Sequence, residues 1–341
     1  MATKRIIIFK PGPIGDFLHS LPVARALKER FPDATITMIT SPVLADLAEG
    51  NPFIDELLYV PSNFFKGDLP AFFTFLKKVR ALEADLFVDL KSNVKSVIAG
   101  AFSGAGKRFR YKKQRGARQG ERRLHAIENL FATISPLTGE MAADGFRVYL
   151  RREDEEFVDQ FMATLSSGDA SPREGENHLV ALNANVSIPN SSRHWPPEYF
   201  ARLGDRVKNE LAAHILLIGG VEDREYCEGV AKMMETRPVI TAGELTLGQT
   251  GALLSRCRVL VSGDTGPMHL AAAVGTRVIA LFGSMDERRA GPYGSAHRVL
   301  KKDLPCVPCE EKTCPLQTTQ CMKDISVDEV FHEVKLAITQ P

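Results

Sequence analysis

Short runs of consecutive apolar residues alternate with amphipathic stretches through both halves of the chain. In the first half, Arg5–Lys10, Thr35–Thr40, Glu56–Val60 and Leu86–Leu90 are rich in β-branched and aliphatic residues and read as strands. Between them, Asp16–Phe31, Pro42–Glu49 and Leu69–Leu82 read as helices. Ser166–Asn177 (SSGDASPREGEN) is polar and has no apolar period, so it reads as a linker. The alternation then restarts with strands His178–Leu182, His214–Ile218, Pro238–Thr241, Val259–Ser262 and Arg277–Phe282. Helices Pro197–Leu211, Glu222–Met234, Leu247–Ser255 and Pro267–Val274 lie between them. Alternation of this kind predicts α/β architecture with parallel sheets covered on both faces. Two doubly wound, Rossmann-like domains follow, residues 1–165 and 178–325, facing a cleft. The terminal segment 326–341, with helix Val327–Ile338, is expected to cross back to the first domain.

The stretch Val259–Phe282 (VLVSGDTGPMHLAAAVGTRVIALF) is one βαβ unit whose turn, Gly263-Asp264-Thr265-Gly266, opens directly into a helix. A helix start carries unpaired N–H groups and partial positive charge, which suit phosphate. Pro267 at the first turn gives up an N–H that would go unused, leaving Gly266, Met268 and His269 as donors. The same pattern also describes an ordinary turn capped by Asp264 or Thr265.

The N-terminal turn Lys10-Pro11-Gly12-Pro13-Ile14-Gly15-Asp16 has neither a G-x-G-x-x-G fingerprint nor a Walker lysine, and the second strand ends without an acidic residue. Asp16 is either a helix cap or a general base at a strand end. Of the 341 residues 44% are hydrophobic and 25% charged, which fits packed domains, and a net charge of +1 argues against a nucleic-acid partner. No apolar run is long enough for a transmembrane helix, and the short apolar start is too brief for a signal peptide, so a cytoplasmic location is expected.

Gly12–Pro22 (GPIGDFLHSLP), Arg193-His194-Trp195-Pro196, Gly219-Gly220-Val221-Glu222, Asp264–His269 with Leu270–Ala273, Pro292-Tyr293-Gly294 and Cys321-Met322 occur in order along the chain. Together they resemble the lipopolysaccharide heptosyltransferases, inverting glycosyltransferases of the two-Rossmann-domain GT-B fold. The resemblance implies transfer of heptose from ADP-heptose to a Kdo or heptose sugar of the inner core on lipid A. The enzyme would be peripheral at the inner face of the cytoplasmic membrane. Asp16 aligns with the family's base, with Gly15 beside it on the acceptor side. Arg193 stands where the family places a cation against the diphosphate, and Glu222 where a carboxylate holds the ribose. Asp264, Thr265, Gly266, Met268 and His269 complete the donor site. The polar loop Asn183–Ser192 would shape it through Asn185 and Ser187. No two aspartates are separated by a single residue, so a D-x-D metal motif is absent and a metal-independent reaction needing no cofactor is consistent.

Lys107–Arg123 carries nine Lys or Arg and one Glu. It reads as a solvated loop or an anion-binding segment. With the resemblance it becomes an acceptor loop, with Arg118, Arg122, Arg123 and His125 facing Kdo carboxylates and lipid A phosphates. Cys306, Cys309, Cys314 and Cys321 have the ligand count of a structural zinc site without a standard finger spacing, so reduced thiols or an adventitious disulfide are the favoured reading and structural zinc the alternative. Besides a transferase of the same family that uses another sugar nucleotide, two competing functions are a nucleotide-sugar epimerase of similar shape and a non-catalytic saccharide-binding module. Asp16 would be only a cap in the second.

Overall fold

The first strand, β1 (Arg5–Phe9), reads RIIIF with four consecutive buried apolar residues, as a parallel strand covered on both faces should. The computed structural model describes residues 3–61, 68–112, 124–142, 145–166, 178–185 and 191–340. It divides into two compact units, Met1–Arg151 and Arg152–Pro341.

In the first unit β1 pairs in parallel with β2 (Thr35–Thr40) on one side and β4 (Leu86–Asp89) on the other. With β3 (Glu56–Tyr59) and β5 (Lys107–Arg110) the strand order is β3-β2-β1-β4-β5. The order reverses between β1 and β4, the switch point at which ligands of such sheets bind beyond the strand C-termini. One face is filled by Phe9, Phe72, Phe75, Leu76, Val79 and Phe87, drawn from the sheet and the helix Leu69–Ala81.

Two sequence expectations change here. The helix anticipated over Asp16–Phe31 is two helices, Ile14–Leu18 and Leu21–Arg30. Pro22 starts the second, and the Ser20 hydroxyl turns back to donate to the Phe17 carbonyl. The basic run does not begin as a loop. Lys107–Arg110 is an edge strand, with Lys107, Arg108 and Arg110 exposed.

The second unit is a six-stranded parallel sheet of β6 (Leu179–Asn183), β7 (His214–Leu217), β8 (Val239–Ile240), β9 (Val259–Gly263), β10 (Arg277–Phe282) and β11 (Arg298–Lys301). Its order is β11-β10-β9-β6-β7-β8, the dinucleotide-fold arrangement, with the switch point between β6 and β9. The division between units falls at Arg151, not at the polar stretch after residue 165. Helix Arg152–Ser166 belongs to the second unit and packs on helix Leu247–Arg256, where Asp159 pairs with Arg256 at 2.9 Å and Gly248 leaves room for the Asp154 carboxylate. Residues 167–177, most of the anticipated linker, lie outside the described residues. The terminal helix Val327–Thr339 also belongs to the second unit. Val330, Phe331, Val334 and Ile338 enter that unit's core beside helix Pro197–Leu211. Its apolar face packs within its own unit.

Candidate active site

At the first unit's switch point three charged side chains meet. Asp16 is the third residue of helix Ile14–Leu18, whose N-cap is Pro13 in extended conformation, and no side-chain hydrogen bond caps that helix. The capping alternative for Asp16 therefore falls away. Its Oδ2 lies 3.7 Å from Lys10 Nζ at the end of β1 and 3.8 Å from Lys91 Nζ just beyond β4. Lys10 is almost wholly buried and donates to the Leu90 carbonyl at 3.2 Å. Burial pushes its pKa down, and the Asp16 charge partly opposes that shift. The Asp16 side chain is 48% exposed, so one face of the carboxylate remains open to an incoming group. Gly15 is half-buried beside it.

Lys91 is held in place by the turn it sits in. Asp89 Oδ1 accepts from the Lys91 and Ser92 amides at 3.0 and 2.7 Å, and its Oδ2 accepts from Ser96 Oγ at 2.8 Å. Neither lysine emerged as a site residue from sequence. The available signal was a lysine closing an otherwise apolar strand, at Lys10.

The second unit's switch point gathers the other group. Asn183, at the C-terminus of β6, donates through Nδ2 to Ser262 Oγ at 3.0 Å and Thr265 Oγ1 at 2.8 Å. Thr265 is the N-cap of helix Gly266–Ala273 by position, yet its hydroxyl is taken up by these partners and no side chain caps the helix. The turn is therefore not capped by Thr265, and the helix start presents the backbone of Gly266, Met268 and His269. Met268 is fully buried, so its side chain packs in the core behind the turn.

Arg193 reaches this helix start. Its Nη1 lies 3.0 Å from Asp264 Oδ2 and donates to the Asp264 carbonyl at 3.3 Å. Burial raises the Asp264 pKa while Arg193 and Arg289 pull it back down. His269 Nε2 lies 3.9 Å from the other Asp264 oxygen.

Trp195 explains how a loop residue is held so firmly. Its ring is buried edge-on against Phe200, with centroids 4.7 Å apart, and its Nε1 donates to the Ile325 carbonyl at 2.8 Å. Gly263 lets the loop close in, since a Cβ there would lie 3.3 Å from the Arg193 carbonyl. Next to it, His194 bonds the Tyr226 hydroxyl, and burial lowers the His194 pKa.

Asn185 donates to Asp223, whose other oxygen accepts from the Gly220 amide at 2.8 Å. That link joins the loop after β6 to the turn Val221–Asp223, which carries Glu222 exposed at the same edge of the sheet.

Other anticipated residues fall elsewhere. His125 is buried as the N-cap of helix Ala126–Phe131, where Nδ1 accepts from the Ile127 amide at 3.2 Å and the ring packs edge-on against His19. An acceptor contact through Nδ1 is therefore ruled out. Arg118, Arg122, Arg123 and Ser187 lie outside the described residues. The four clustered cysteines are free thiols, with Cys306 exposed and Cys321 buried. Among the described residues no three His, Cys, Asp or Glu side chains stand close enough to hold a metal ion, so the zinc reading finds no support in this geometry. Burial raises the Cys321 pKa, whereas the amides of Leu316, Thr318 and Thr319 lower that of Cys314.

Two parallel doubly wound units, one with an open helix start at its switch point, are the components of GT-B glycosyltransferases. A model of glycosyltransferase family 9 (heptosyltransferase) matches residues 72–320, and the chain belongs to that family. Lipopolysaccharide heptosyltransferase 1 of Pseudomonas aeruginosa is 24% identical over 359 aligned positions, covering 98% of this chain and 94% of the relative. The fold matches a family 9 glycosyltransferase from Veillonella parvula with a TM-score of 0.85, at 21% identity and 100% and 99% coverage of the two chains. The E. coli ADP-heptose lps heptosyltransferase II matches with a TM-score of 0.78, at 20% identity and 98% and 99% coverage.

Proposed function

We propose that the protein transfers heptose from ADP-heptose to a Kdo or heptose hydroxyl of the lipopolysaccharide inner core, with inversion and without a metal, at the cytoplasmic face of the inner membrane. The observation that carries this reading is the uncapped start of helix Gly266–Ala273 with the Arg193 guanidinium beside it. Amides and a guanidinium together form a sink for the negative charge that grows on a leaving diphosphate. Arg193 and the amides of Gly266, Met268 and His269 would hold the phosphates, Glu222 the ribose hydroxyls, and Asn185 the loop between them. Asp264 holds Arg193 in place. In the first unit Asp16 would take the proton from the acceptor hydroxyl, with Gly15 lining its approach. Direct displacement at the anomeric carbon then breaks the bond to the diphosphate oxygen as the new glycosidic bond forms.

The names of the relatives support both the sugar and the nucleotide. The experiment has two parts. Calorimetric titration with ADP, UDP, GDP and CMP should show binding of ADP alone at micromolar concentrations. Transfer from ADP-heptose to Kdo-containing lipid A should fall by about a hundredfold or more in kcat for Asp16→Asn, with the donor KM unchanged. Wild-type turnover in Asp16→Asn would remove the base from the mechanism, and consumption of donor without acceptor would favour an epimerase.

A further inference from the structure

The helices Leu69–Ala81 and Val94–Phe102 lie side by side in the first unit, joined where Arg80 donates to the Ser103 carbonyl and where Lys95 stands 5.7 Å from the Phe72 ring. Both start at the C-terminal edge of the sheet, the edge that carries Asp16. Their first turns expose large apolar side chains: Leu69 is 62% exposed, Phe73 57% and Val94 75%, with Val97 at 38%. Val43, in the turn after β2, is 66% exposed at that edge too. Exposed apolar residues grouped in this way on a soluble unit mark an interaction surface.

The surrounding charge says what covers it. Neither helix contains an Asp or Glu. Lys77 and Lys78 follow Phe73 at the next turn and are exposed. Arg110, also exposed, bonds Ser92 Oγ at 2.9 Å and so stands beside Val94. Residues 68–112 contain nine Lys or Arg against four Asp or Glu, one of them the N-cap Asp68, in a chain of net charge +1. Apolar side chains framed by cations, with no acidic residue on either helix, complement an anionic lipid surface.

We propose that this face docks on an anionic bilayer, with Leu69, Phe73, Val94 and Val97 entering the headgroup boundary and Lys77, Lys78 and Arg110 meeting lipid phosphates. Val94 is three residues beyond Lys91, whose ammonium touches Asp16. Docking would therefore set the Asp16 carboxylate close to the plane of the membrane. It would meet there a sugar hydroxyl on a lipid-anchored acceptor. The placement of the acceptor rests on the proposed function, but the docking does not.

The test is flotation of the full-length protein with vesicles of phosphatidylethanolamine and phosphatidylglycerol, and with vesicles of phosphatidylcholine alone. Wild type should float with the anionic vesicles, and added salt should weaken the association. Leu69→Ser/Phe73→Ser should lower that affinity at least about tenfold. Lys77→Glu/Lys78→Glu should do the same for anionic vesicles only. Both variants should keep the wild-type melting temperature and the wild-type rate on a water-soluble acceptor sugar lacking acyl chains. Equal flotation of wild type and Leu69→Ser/Phe73→Ser would overturn the proposal. So would a wild-type dimer in sedimentation that these substitutions dissociate, without any binding to vesicles. Failure of the functional reading looks different: flotation stays intact while the soluble acceptor is never glycosylated.

Discussion

Arg193 and Asp264 form an ion pair in which the carboxylate is nearly buried and the guanidinium is about a quarter exposed. A buried charge is tolerated when it is paired, and Arg193 is the nearer of the two cations that offset the cost of burying Asp264. Arg193→Ala should therefore lower stability by about 2 kcal/mol at neutral pH, the scale of a lost hydrogen bond to a charged group. It should also raise the donor KM. The pH dependence has a definite sign. Burial raises the Asp264 pKa above its unfolded value, so the stability this group contributes is full at low pH and is lost as pH rises through the folded pKa. Removing Arg193 enlarges that rise. The melting-temperature deficit of Arg193→Ala should thus be largest near pH 7 and shrink as the pH falls into the ordinary carboxylate range. A deficit that stays constant from neutral to acidic pH would show that the pair does not govern it.

The elements around the helix start are tied by one amide. Asn183 is buried at the end of β6 and holds both Ser262 and Thr265, which fixes the β9 turn against the central strand. Asn183→Ala should cost about 1–3 kcal/mol, because two hydroxyls lose a buried donor. A return of Thr265 to its capping role is then sterically open, and donor affinity should fall as the N–H groups become occupied. Thermal denaturation with and without ADP separates these effects: the variant should melt lower and also gain less on ADP addition.

Trp195 acts on the same site from the core side. Its replacement by Ala should cost about 3–5 kcal/mol and loosen the loop that presents Arg193. The strands themselves were legible in the sequence, since RIIIF, LVALN, VLVSG and RVIALF are uninterrupted apolar runs of strand length. The Asp264–His269 turn was legible for the same reason, being glycine-bounded between two such runs. The split of the first long helix was less visible, because Pro22 is compatible with a helix start and the apolar stripe continues across it. The hydrogen bonds of His125 and Asn183 were not visible at all. A capping histidine and a ligand histidine have the same letter, and only the packed neighbours tell them apart.

For the molecule as a whole, helix Arg152–Ser166 decides where a stable second unit begins. It packs on Leu247–Arg256 and places Asp154 in a buried position beside Gly248. A fragment of residues 152–341 should fold cooperatively and bind ADP. A fragment of residues 178–341 should expose the apolar face of Leu247–Arg256, lose several kcal/mol, and aggregate or melt well below the longer piece. Calorimetry of both fragments checks this. Comparable melting temperatures would place the helix outside the unit's core.

By itself, the sequence determined that parallel strands alternate with helices, that a glycine-bounded turn opens into a helix at Gly263–His269, and that a carboxylate follows the first strand. These depend on neighbours within a few residues, where backbone geometry and side-chain periodicity act directly. Tertiary structure alone decided the rest. It set Lys10 and Lys91 about Asp16, spent the Thr265 hydroxyl on Asn183 so that the helix start stayed open, and gave the helices Arg152–Ser166 and Val327–Thr339 to the second unit. Each of these depends on groups far apart in the chain, some brought together only when the sheet assembles. Their energies come from desolvation and pairing across that assembled sheet, quantities that no local pattern encodes.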